Sequence, residues 1–235
     1  MNIYKRILLD SKLNSNIIPT TKKVDGYINI ESFDLLKNIE DVEENKNIYS
    51  KIGNKKVLDT FNKIKRELDD VDTSKLYVLS YKKSDNYYLN VLYNLIIQYK
   101  IENIKDKYSF AYNVICDELD SYFTKYNFCN FVHNYCDRKR ELIGRYDEST
   151  LQNGCCYTKG RVCPFFIEGK CTKKCIADKI FTCGYLRRKG IKFKASDFLL
   201  LKSILNVRGL YLIDNTLFAD EEEMYKLLVS KKGFK

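Results

Sequence analysis

The chain contains a single histidine, His133, among 235 residues. That excludes metal chemistry that needs several imidazoles, and any Ser-His-Asp triad would have to use this one side chain. No stretch approaches 18 uninterrupted apolar residues, so no membrane span is expected. The opening MNIYKRILLDSKLNSNIIP has only a three-residue apolar run, Ile7 to Leu9, too short for the apolar core of a signal peptide. A cytoplasmic protein is the expectation, with no membrane partner. Neither a Walker A nor a G-x-G-x-x-G sequence occurs, which removes the standard phosphate-cradling loops. There is no internal repeat and no low-complexity tract.

Apolar residues make up 45% of the chain, enough for a real core. The periodicity is mostly helical. ESFDLLKNIEDVEE places Phe33, Leu36 and Ile39 at steps of three, and KKVLDTFNKIKRELDDV repeats the pattern with Val57, Phe61, Ile64 and Leu68. NYYLNVLYNLIIQY is apolar over most of its surface and reads as a central helix. KYSFAYNVICDELDSYFTKY carries Tyr108, Ala111, Ile115, Leu119 and Tyr122 along one face, with Cys116 beside it as an ordinary core thiol. YINI at 27–30 is a short strand candidate. Ser196 is a candidate N-cap for SDFLLLKSIL, GLYLIDNTLF has the pattern of a hairpin, and ADEEEMYKLLVSKK has acids first and lysines last, as a helix dipole favours. The expected fold is α+β, mainly α: a helical region over 1–150, an irregular Cys-rich metal-binding module over 151–190, and a small α/β helix-hairpin-helix cap over 191–235.

Thiols are concentrated. Six of the nine cysteines fall between 155 and 183: Cys155, Cys156, Cys163, Cys171, Cys175 and Cys183. An odd total prevents full pairing within the chain, and a reducing cytosol disfavours structural disulfides. Five of the ten glycines and Pro164 share the stretch 150–190, so turns rather than long elements are expected. Turns let thiolates a few residues apart converge on one centre. Tetrahedral zinc and a four-iron, four-sulfur cluster each need four such ligands. Between 155 and 183 there are six basic residues and two acidic ones, and this excess offsets thiolate charge. The spacing C-C-x6-C-P-x4-G-x-C-x3-C-x7-C matches neither the usual zinc pairs nor a ferredoxin run, so an iron–sulfur cluster and Zn2+ both stay open.

NGCC followed by CPFF, GKC and a further cysteine resembles the YkgJ-type cysteine-rich family, described as zinc- or iron-chelating. The matching positions are Cys155, Cys156, Cys163, Pro164, Gly169, Cys171 and Cys183. Two upstream cysteines of the family pattern are missing, Cys175 is additional, and the last cysteine follows a longer gap without the family's Arg-Pro. The resemblance spans about 30 residues of the 235 and implies metal chelation but no reaction.

Two other constellations stand out. CNFVHNYC puts Cys129, His133 and Cys136 at i, i+4 and i+7, one face of a helix, which suits extra ligands, a Cys–His pair, or plain packing. LRRKGIKFK contributes Arg187, Arg188, Lys189, Lys192 and Lys194, with Tyr185 and Phe193 nearby for stacking. Residues 151–200 hold 11 basic and 3 acidic side chains of a chain whose net charge is +10. The leading expectation is a structural or redox- or metal-sensing protein. A nucleic-acid-binding regulator using 186–194 comes second. A metalloenzyme comes third, because no convincing acid–base pair is present.

Overall fold

A computed structural model of the chain describes residues 51–69, 86–130, 165 and 171–235, together with the backbone of short strands at 4–9, 26–29, 77–82, 157–158, 161–162, 166–167 and 170–171. The helix expected at 31–44 lies outside the described residues, as do Cys155, Cys156, Cys163, His133 and Cys136. The described part is mainly helical and divides into two compact units, Met1–Phe110 and Ala111–Lys235.

The first unit carries a sheet that the helical reading of 1–150 did not anticipate beyond YINI. Its strands are β1 (Tyr4–Leu9), β2 (Gly26–Asn29) and β3 (Tyr77–Lys82), in the order β1-β3-β2. β1 runs antiparallel to β3, with Tyr4 opposite Lys82; β2 runs parallel to it, with Gly26 opposite Tyr77. Strands of four to six residues are too short for periodicity to separate them from helix turns, so their pairing decides the outcome.

Helix α1 (Lys51–Asp69) precedes β3, and α2 (Tyr87–Lys100) follows it. The Asn86 side chain caps α2, accepting from the amides of Tyr88 at 2.9 Å and Leu89 at 3.2 Å. Tyr88, Leu89, Val91, Leu92, Tyr93, Leu95, Ile96 and Ile97 of α2 are all buried, as the nearly all-round apolar sequence requires. Val57 and Ile64 of α1 are fully buried. Gly53 allows α1 to press on the Tyr88 ring, because a Cβ there would lie 2.2 Å from ring carbons. Further along, Phe61 meets Tyr99 edge to face at 5.9 Å. The start of α1 meets the start of α2 and its middle meets the end of α2, so the two helices run in the same direction.

Helix α3 (Ile104–Tyr126) spans the boundary between the units. Its expected stripe of Tyr108, Ala111, Ile115, Leu119 and Tyr122 is buried throughout, and Cys116 with it. The second unit continues with two minimal hairpins, β4 (Tyr157–Thr158) with β5 (Arg161–Val162) and β6 (Phe166–Ile167) with β7 (Lys170–Cys171). Two one-turn helices follow, α4 (Ile176–Ile180) and α5 (Gly184–Arg188). The expectation of turns in 150–190 agrees with these elements.

The end of the chain corrects two expectations. GLYLIDNTLF is not a hairpin: Val207–Asn215 form helix α7, between α6 (Leu199–Ile204) and α8 (Glu221–Ser230). Asn206 explains this. Its side chain accepts from the Gly209 amide at 3.0 Å and donates to the Lys232 and Phe234 carbonyls, each at 2.8 Å. One residue thus caps α7 and ties down the final turn, where Gly209 and Gly233 touch backbone to backbone. Ser196 is not the cap of α6: it sits in a 3-10 turn, Ala195–Asp197, whose Asp197 carboxylate accepts from the Lys194 amide at 2.8 Å. The described residues of 191–235 form a helical cap joined by one isolated bridge, Leu205 to Phe234. Helix α8 has the expected acidic start, with Asp220 and Glu223 in a reciprocal capping box.

Candidate functional site

Three of the six clustered cysteines are described. Cys171 ends β7 and is half-buried, its Sγ 3.8 Å from the Lys173 carbonyl oxygen. Cys183 stands before the first turn of α5 and is half-buried. Cys175 stands before α4 and is 1% exposed. Burial sets Cys175 apart from the other two.

Its surroundings come from α3. Tyr112, Cys116 and Asp120 are spaced i, i+4 and i+8 on that helix, hence on one stripe. The Tyr112 hydroxyl donates to the Lys174 carbonyl at 2.6 Å. Two turns on, the Lys179 ammonium reaches the Asp120 carboxylate at 2.5 Å and also donates to the Cys171 carbonyl at 2.8 Å. These contacts bracket Cys116 and bring it within electrostatic reach of Cys175. Burial pushes the Cys116 thiol up to about 12, with the nearby Lys179 cation opposing the shift. Burial likewise pushes Cys175 up to about 11. Both are inert thiols at neutral pH. Only 2% of the Lys179 side chain is exposed, against 39% of its partner's. An ammonium this deep requires its two oxygen partners.

Lys179 and Asp120 escaped the sequence reading. Lys179 was counted only among the module's charges, and Asp120 only within a helix. The i, i+4, i+8 spacing of Tyr112, Cys116 and Asp120 was the available signal.

Among the described residues, no three His, Cys, Asp or Glu side chains converge as metal ligands. Cys129 does not continue α3. It lies within a turn flanked by left-handed Asn127, φ 38°, and Asn130, φ 44°. His133 and Cys136 lie outside the described residues, so of that constellation only Cys129 is placed.

The basic stretch is open to solvent. Arg187, Arg188, Lys189, Lys192 and Lys194 are all exposed. Gly190, with φ 81°, turns the chain between α5 and the last two lysines. The two aromatics are already engaged. Lys189 lies 4.2 Å from the centre of the Tyr185 ring. Phe193 packs edge to face on Tyr122 and Phe123 at 5.8 and 5.7 Å. Tyr126 and Phe128 extend this group as a stacked pair, 5.6 Å apart and 16° from parallel. No helix among the described residues is long and apolar enough to cross a membrane. No protein-family model, curated protein or solved structure matches this chain.

Proposed function

We propose that this is a cytoplasmic protein that holds a Cys-ligated metal centre, zinc or an iron–sulfur cluster, with a structural or a redox- or metal-sensing role. The observation that carries the reading is the confinement of six of nine cysteines to 29 residues built on two-residue strands. Cys156 immediately precedes β4, Cys163 immediately follows β5, and Cys171 closes β7. Elements this short bury little apolar surface, and a bound metal would supply the missing stabilisation. Cys175 is assigned to packing: it is 1% exposed, and it is also the cysteine that the YkgJ-type pattern lacks. The remaining thiols of the cluster, Cys155, Cys156, Cys163, Cys171 and Cys183, are the ligand pool.

The test is an absorption spectrum with elemental analysis for iron, zinc and acid-labile sulfide on protein purified without oxygen. Stoichiometric zinc, or iron with sulfide and a broad band near ~400 nm, supports the reading. Cys171→Ala should lower the metal content, and Cys175→Ala should leave it unchanged. Well-folded protein without either metal overturns the proposal.

A second reading, a nucleic-acid-binding regulator, is favoured by one observation: all five cations of 187–194 are exposed together. It predicts binding that weakens steeply with salt.

A further inference from the structure

We propose that the basic turn 187–194 and the aromatic end of α3 form one surface that binds single-stranded nucleic acid, with cations taking the phosphates and the Tyr126–Phe128 pair stacking on bases. The proposal rests on the nucleic-acid reading above and specifies its ligand.

The two features are physically joined. Phe193 lies between Lys192 and Lys194 in sequence, and its ring sits on Tyr122 and Phe123. Phe128 packs on the same two rings, at 5.2 and 5.7 Å. The basic loop is therefore anchored beside the half-buried Tyr126 and Phe128. Lys125, also exposed, lies over the Tyr126 ring, 5.3 Å from its centre, so a base stacking on that face would displace this ammonium. Arg187, Arg188 and Lys192 make no ion pair with a carboxylate among the described residues, whereas Lys194 sits within electrostatic reach of Asp197 and Asp214. Both carboxylates also accept from backbone amides, Asp197 from Lys194 and Asp214 from Ala195.

The geometry favours a single strand over a duplex. Helix α5 has five residues, roughly 7.5 Å of rise, too short to lie along a major groove and read it. Aromatic faces beside cations suit unpaired bases, which a duplex keeps stacked internally. The rings brace one another and are half-buried, unlike the protruding wedges that kink duplexes.

The experiment is fluorescence anisotropy of the full-length protein, as purified, with labelled dT and rU 20-mers and a 20-base-pair duplex at low and moderate salt. Both single strands, or one of them, should bind about tenfold or more tighter than the duplex, with affinity falling steeply as salt rises. A preference between dT and rU supports the proposal and identifies the sugar. The double variant Arg187→Glu/Arg188→Glu should weaken single strands and duplex alike. Phe128→Leu, which keeps an apolar side chain in the ring cluster, should weaken single strands about fivefold or more and leave the duplex unchanged. Tyr126→Leu repeats that test if Phe128→Leu lowers the melting temperature. Equal or tighter duplex binding, or unchanged single-strand affinity in both ring variants, overturns the single-strand proposal while nucleic-acid binding stands. Salt-independent binding, or binding to anionic phosphatidylserine vesicles without any to the oligonucleotides, overturns both.

Discussion

Helix α2 and the segment 171–188 are held in their units by different physics. Eight of the nine buried residues of α2 are apolar or tyrosine, and Gln98 is the ninth. Each fully buried apolar side chain contributes roughly 1.5–3 kcal/mol, and none needs a partner in one fixed direction. In 171–188 the buried apolar set is Cys175, Ile176, Ala177, Ile180 and Leu186. Directional bonds do more of the holding there. Tyr112 reaches the Lys174 carbonyl, Lys174 reaches Asn113 at 3.1 Å, and Lys179 reaches both Asp120 and the Cys171 carbonyl. Lys173 donates to the Phe218 carbonyl at 2.6 Å, and the Phe218 amide donates to Asp178 at 3.3 Å. Such bonds contribute about 1 kcal/mol each, or roughly twice that with a charged partner. The lesson is one of robustness. A hydrophobic helix tolerates the loss of any one small contact, whereas a segment pinned by a few bonds can open locally when one is removed.

The comparison can be broken from either side. Gly53→Ala attacks α2 through volume, since the new Cβ would sit 2.2 Å from the buried Tyr88 ring. We expect a loss of about 3 kcal/mol in urea unfolding, the largest effect here. A change within error would mean that the ring moves aside freely. Asp120→Ala removes the carboxylate from a buried ammonium that keeps one carbonyl partner, and should cost about 2 kcal/mol. Hydrogen exchange locates the damage: amides of 174–183 should exchange faster while those of α2 do not. Uniform acceleration would sink the idea of a separately pinned segment. Tyr112→Phe deletes one hydroxyl and should cost about 1 kcal/mol, with the same local signature.

The smallest effect at neutral pH is the most diagnostic. Cys116 and Cys175 have folded values raised from 9.0 to about 12 and about 11. A raised value means the native state holds the proton more tightly. Their contribution to stability is therefore fully present below pH 9 and is lost as pH rises toward 11 to 12. Near pH 8 both thiols should resist iodoacetamide in native protein and react in urea, while half-buried Cys129 reacts sooner. Rapid native labelling of Cys175 would show that the pair is not sequestered.

The helices of the described chain were legible because their signal is repetitive. The stripe from Tyr108 to Tyr122 recurs at helical spacing, and a core on one side is enough to fix it. The α7 segment was not legible. Its two apolar runs around Asp214 and Asn215 fit a hairpin equally well, and a side chain at Asn206 bonded to residues 232 and 234 settled the matter. The concentration of thiols, and the basicity beside them, were likewise plain in the sequence, because they are local densities. Their surroundings were not, since the Tyr112 hydroxyl reaches the Lys174 carbonyl, next to Cys175, across 62 residues of chain.

The sequence alone thus determined the amphipathic helices, the turn-rich cysteine stretch and the exposed cations, all of which depend on neighbours within a few residues. Only the tertiary structure decided that Lys179 is buried against Asp120, that Cys175 is buried, and that Phe193 is spent on packing. Each of those outcomes depends on which distant side chain fills the opposite half of a contact, and no local pattern encodes that partner.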